Sequence, residues 1–172
     1  MERVFFHGTG DSDYAFDNML KIIETGGIKS LEMQNSSFRG LVNGQNYISV
    51  CSWDDGIDHS VEKMQSSFNG WIFGCPCFII RGIEAIKCGK YHSDYNSEVE
   101  RVSQFEDEWH VKDFIPLDKV IGIALPLKDV EFINRNKEKV DKILEYATEY
   151  NWQVFESDET LIEDTNKLGR RR

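Results

Sequence analysis

His7-Gly8-Thr9 follows the apolar run Val4-Phe5-Phe6, which sets an imidazole at the end of a short strand beside backbone that glycine leaves open to a ligand. Tyr47-Ile48-Ser49-Val50 is a second short extended stretch, and Glu108-Trp109-His110-Val111 is a third. Together they offer an imidazole, an aromatic ring, a hydroxyl and a carboxylate on three strands. A carboxylate aimed at a sugar stabilises the positive charge that develops on the anomeric carbon as the bond to a leaving group breaks. An aromatic face against a planar leaving group aligns it and excludes water. Taken singly, each has an ordinary reading: His-Gly-Thr as a turn, Tyr47 as a core aromatic, Glu108 as a solvated edge carboxylate. Order and strand context raise the three to a candidate site.

The choice of carboxylate rests on strand quality. Glu106 and Glu108 fall on one face by the period of two, and Glu108 is favoured because it opens Trp109-His110-Val111, the more convincing strand. Glu98 and Glu100 are remoter candidates. His110 is read as pointing to the face opposite Glu108 and as structural or surface, while His59 and His92 lie in polar stretches and read as exposed. Trp53-Asp54-Asp55 reads as a turn just past Tyr47.

Amphipathic segments must position these strands. Asp11 or Ser12 caps a helix in which Phe16, Met19, Leu20 and Ile23 recur on one face, and Gly26-Gly27 ends it. Ile28 starts a short extended piece, and residues 31–45 form a long polar loop of the kind that carries function. Ile57, Val61 and Met64 suggest a short helix ending near Gly70. Trp71-Ile72-Phe73 and Cys77-Phe78-Ile79-Ile80 read as a buried strand pair or one bulged strand around Pro76, and 81–97 as a polar connection. Residues 98–102 and 120–125 are further extended pieces, with Phe114-Ile115-Pro116-Leu117 as a proline-fixed link. Val140, Ile143, Leu144 and Ala147 mark a single helical segment around 129–150, and Trp152-Gln153-Val154-Phe155 a last strand. The predicted fold is α+β, with a mixed, mainly antiparallel split sheet and flanking helices. Residues 1–160 form one domain and 161–172 a frayed tail.

Composition narrows the partners. The 172 residues carry 30 acidic and 20 basic side chains, a net charge of −10, so the average surface repels phosphate backbones and anionic membranes and nonspecific nucleic-acid binding is disfavoured. A small phosphate-bearing ligand needs only a local cation or a few backbone N–H groups; Lys29, Arg39 and Arg81 are the candidates. Cys51, Cys75, Cys77 and Cys88 lack the spacing of a metal set and read as buried reduced thiols, so no metal is expected. No apolar run approaches the ~20 residues that span a bilayer, and neither a membrane partner nor a leader is expected. A cytoplasmic protein, or one delivered to a target cytoplasm, is the corresponding expectation.

The order of motifs, Phe6-His7-Gly8-Thr9, then Ile22-Ile23-Glu24-Thr25-Gly26-Gly27-Ile28, then Tyr47-Ile48-Ser49, then a late-strand Glu, resembles the ADP-ribosyltransferase fold of the His-Tyr-Glu type. That fold is shared by diphtheria-toxin-like enzymes and poly(ADP-ribose) polymerases. The likeness covers roughly residues 3–125 as an order of motifs. It implies NAD as co-substrate, held by His7, Gly8, Thr9, Tyr47 and Ser49, with Tyr47 stacked on nicotinamide and Glu108 on the nicotinamide ribose. His7, Tyr47 and Glu108 are then the catalytic set, and the implied activity is transfer of ADP-ribose to a macromolecular acceptor. Within the same fold stand two other enzymes, an NAD glycohydrolase and an RNA 2′-phosphotransferase; the scarcity of Arg near these motifs counts against the latter. An inactive nucleotide- or protein-binding module is the alternative outside enzymes.

Overall fold

Phe5 and Phe6 are adjacent and both buried. Since neighbouring residues of a strand face opposite ways, the strand that carries them must be covered on both sides. The computed structural model describes residues 2–30, 47–52, 74–87, 89–90, 102–103 and 108–170. In chain order its elements are β1 (Val4–Gly8), α1 (Tyr14–Glu24), β2 (Gly27–Lys29), β3 (Tyr47–Cys51), β4 (Cys77–Arg81), β5 (Ile86–Lys87), β6 (Gly89–Lys90) and β7 (Val102–Ser103). They continue as β8 (Glu108–Lys112), β9 (Phe114–Pro116), β10 (Val120–Leu125), α2 (Val130–Arg135), α3 (Lys137–Glu149), β11 (Gln153–Glu156) and α4 (Leu161–Arg170).

The described residues form an α+β protein built on a mixed, mainly antiparallel seven-stranded sheet in the order β11-β10-β4-β1-β3-β8-β5. The β10–β11 pair is parallel; every other pairing in that sheet is antiparallel. Two smaller sheets, β2–β9 and β6–β7, accompany it. β1 is thus central, as its two buried phenylalanines require.

The two faces have separate cores. On one, Phe5, Ile48, Val50, Phe78, Ile80 and Ile123 meet Phe16, Met19 and Ile23 of α1 and Val140, Ile143 and Ala147 of α3. On the other, Phe6, Cys51, Cys77, Ile79 and Ala124 pack with Leu161. The register explains the division: Phe6 is opposite both Ile79 and Cys51, whereas His7 is opposite Phe78.

Several expectations are corrected. Neither Asp11 nor Ser12 caps α1 through its side chain; the Ser12 carbonyl accepts from Ala15 N, and Asp13, at the N-cap position, makes no side-chain cap bond. Asp13 instead accepts from Arg135 and Asn136, and these donors hold its carboxyl below the usual range. The single helix expected around 129–150 is two helices. Asn136 parts them, its buried amide bonded to Phe132 O at 3.0 Å and to Asp13 at 3.2 Å, a role that competes with continuing the helix. The tail expected to fray is helical over Leu161–Arg170, because Leu161, Ile162 and Thr165 find burial. The polar connection 81–97 contributes β5 and β6, and the proline-fixed link is β9, paired with β2.

The loop 31–45, the turn at Trp53, the helix suggested by Ile57, Val61 and Met64, Trp71-Ile72-Phe73, Arg39, His59, Cys88, His92, Glu98, Glu100 and Glu106 lie outside the described residues. Among the described residues no helix is long and apolar enough to cross a membrane.

Candidate active site on strands β1, β3 and β8

β1, β3 and β8, the strands that carry the three sequence motifs, are consecutive neighbours in the sheet. The β3–β8 ladder is regular over five pairs: Tyr47↔Lys112, Ile48↔Val111, Ser49↔His110, Val50↔Trp109 and Cys51↔Glu108. Residues two apart on a strand share a face, as do directly opposed partners. Tyr47, Ser49 and Cys51 therefore stand on the same face as Glu108, His110 and Lys112.

Ser49 and His110 both hold Glu108 there. Ser49 Oγ donates to Glu108 Oε1 at 2.9 Å, and His110 Nε2 lies 3.0 Å from the same oxygen. The carboxylate is only 14% exposed and the imidazole 12%, so both bonds form where water competes weakly and charge-assisted hydrogen bonds are strong. The His110 ring also lies over Tyr47, with centroids 5.4 Å apart and planes 21° from parallel. His110 is thus not on the face opposite Glu108. The period of two already places residues 108 and 110 together, and the hydrogen bond joins them.

His7 reaches this group through backbone. β1 pairs with β3 at one register position, Phe6↔Cys51, and next to it His7 Nδ1 donates to Ser49 O at 2.8 Å. The pleat puts His7 on the face of Phe5 and Phe78, while Glu108 shares the face of Cys51 and Phe6. Ser49 is the link, its carbonyl bonded to His7 and its hydroxyl to Glu108. Desolvation lowers the His7 pKa from its ordinary 6.5, with the Ser49 carbonyl pulling the other way. Nδ1 bears the proton in this arrangement, which leaves Nε2 as an acceptor.

The remaining expected ligand contacts divide. Gly8 closes β1 and is exposed. Thr9 is buried; its N–H and hydroxyl both donate to Pro76 O, and its own carbonyl accepts from Asn18 of α1. Its hydroxyl therefore ties the end of β1 to the entry of β4 and is committed inside the protein, as the Ser49 hydroxyl is to Glu108. Arg81 pairs with Glu2 and is opposite Val4, at the other end of β1 from Gly8. Lys29 lies on β2 in the separate β2–β9 sheet.

Trp109 points the other way from Glu108. Its ring meets Phe5 edge to face at 5.5 Å and carries the Arg3 guanidinium 4.7 Å from its centroid, so it anchors β8 to β1 on the α1 side of the sheet. The residue that sequence reasoning underrated is His110, and its signal was spacing alone. Comparison of the sequence with protein-family models and with curated proteins gives no match.

Proposed function

We propose that the chain is an NAD-dependent ADP-ribosyltransferase with Glu108 as the catalytic carboxylate, on a split-sheet fold of the ADP-ribosyltransferase type. The bond between ribose C1′ and the nicotinamide nitrogen breaks with its electron pair leaving on nicotinamide. The acceptor's nucleophilic atom then donates a pair to C1′ and gives up its proton to water. Positive charge peaks on the sugar between these events, and a nearby carboxylate stabilises it. Gly8 gives the ligand close access to backbone, Tyr47 offers the aromatic face, and His7 holds the β1–β3 junction through Ser49.

The observation that carries this reading is the orientation of Glu108 by Ser49 and His110 on the strand next to β3. A carboxylate held in one geometry stabilises a transition state without reorganising at the moment of reaction. The phosphate-holding alternative finds less support, since Arg81 is engaged with Glu2 at the far end of β1.

Incubation with NAD, followed by measurement of released nicotinamide, tests the proposal. Wild-type protein releases nicotinamide, and Glu108→Gln lowers the rate by about 100-fold or more while keeping its melting temperature. No release from folded wild-type protein favours the binding-module alternative, with equilibrium binding of NAD as its own measurement.

A further inference from the structure

The three rows of the β3–β8 ladder on the Glu108 face are Tyr47 with Lys112, Ser49 with His110, and Cys51 with Glu108. Tyr47 and Cys51 are four residues apart on an extended strand, about 13 Å at the usual rise. The aromatic ring and the carboxylate therefore root too far apart to set each other's positions. His110 roots in the middle row and touches both, with Nε2 3.0 Å from Glu108 Oε1 and its ring stacked on Tyr47 at 5.4 Å. Its other ring nitrogen, Nδ1, is buried and meets no hydrogen-bond partner among the described residues. Among the described residues one polar end of the ring is used, and it is spent on Glu108.

We propose that His110 is a positioning residue of the ADP-ribosyl transfer site, a spacer that holds the Glu108 carboxylate and the Tyr47 ring in fixed relation through its Nε2–H donor and its ring face. The inference rests on the transferase reading. Its two contacts serve different steps. The Nε2–H donor keeps Glu108 aimed at the sugar, which matters as charge develops. The ring face packs on Tyr47 and holds its orientation, which matters as the planar leaving group docks.

Two substitutions separate the contacts. His110→Phe keeps a ring for Tyr47 and removes the donor, so kcat for nicotinamide release falls about tenfold or more, the cost of one hydrogen bond to a charged group, with KM for NAD changed less than about threefold. His110→Gln keeps an amide donor and removes the ring, so KM rises about threefold or more while kcat stays closer to wild type than in His110→Phe. Melting temperatures of both variants identify loss of fold. Wild-type kcat and KM in both variants overturn the spacer role. So does equal loss in both that tracks melting temperature, because a merely structural ring gives no division between kcat and KM. Absence of nicotinamide release from the wild type overturns the transferase reading and this inference with it, whereas wild-type turnover that both variants retain overturns the inference alone.

Discussion

Ser49 and Glu108 are 59 positions apart in sequence and 2.9 Å apart between Oγ and Oε1. They are diagonal neighbours on the β3–β8 ladder, Ser49 being opposite His110 and Glu108 opposite Cys51. The same serine accepts the His7 Nδ1–H bond through its carbonyl. One residue therefore ties the imidazole of the first strand to the carboxylate of the eighth, and the site's geometry depends on where the ladder register puts it.

Ser49→Ala removes the hydroxyl and keeps the carbonyl that His7 uses. Glu108 loses a charge-assisted donor in a place where water replaces it poorly, worth about 1.5–3 kcal/mol. The expected outcome is a drop in nicotinamide release of about tenfold, with the midpoint of urea unfolding lowered and its slope unchanged. Ser49→Thr, which retains a hydroxyl, restores most of the rate. Equal activity in Ser49→Ala and wild type disproves the role given to this bond.

His7 makes stability depend on pH in a definite direction. The unfolded ring takes up a proton near its ordinary 6.5, whereas desolvation makes the folded ring resist protonation to lower pH. Below 6.5 the unfolded state binds the extra proton, so stability falls as pH falls and levels off once the folded ring also titrates. At higher pH both states are neutral at this position and it contributes no slope. Melting temperatures measured between about pH 7.5 and 5 fall more steeply for the wild type than for His7→Gln. Parallel curves show that His7 is not the group responsible.

Gly122 of β10 stands opposite Gln153 of β11, with no room for a side chain between them. A Cβ built there meets Gln153 O at 2.7 Å and the Phe155 ring at 3.3 Å, and the first of these is backbone held in the parallel ladder Gly122↔Gln153. The Phe155 ring has only to shift slightly, but the Gln153 backbone cannot yield without opening the edge of the sheet. Gly122→Ala is expected to destabilise by about 1–3 kcal/mol, the cost of overpacking, as read from chemical denaturation. Activity per folded molecule stays near wild type, since β11 lies four strands from β3 in the sheet order.

The strands and the first helix were legible because their apolar residues are periodic. Ile48 and Val50, and the run from Val120 to Leu125, announce one-sided and two-sided burial, and Phe16, Met19 and Ile23 announce a helix face. The period of two also puts residues 108 and 110 on one face, which is the face they share in the structure. What local pattern does not carry is partnership across long separations. The break at Asn136 depends on Asp13, 123 residues away, and the commitment of the Thr9 hydroxyl depends on Pro76. Each hydroxyl or amide looked free to serve a ligand or a helix until the register supplied its partner.

Leu161 shows the same principle in the core. It sits among acidic and polar residues in sequence and reads as part of a frayed tail, yet it is fully buried against Phe6, Cys51, Cys77, Ile79 and Ala124. These residues share the face on which Ser49 and Glu108 stand, so the start of α4 packs on that face of the sheet, beside the site and against β1. Leu161→Ala leaves a cavity between helix and sheet and is expected to cost about 2–5 kcal/mol. Leu127→Ala, at a position 41% exposed, changes stability by no more than about 0.5 kcal/mol. The comparison is made by urea unfolding of the two variants beside the wild type. A truly frayed tail would make the two substitutions equally harmless, whereas a helix that closes the second core makes Leu161→Ala by far the more damaging.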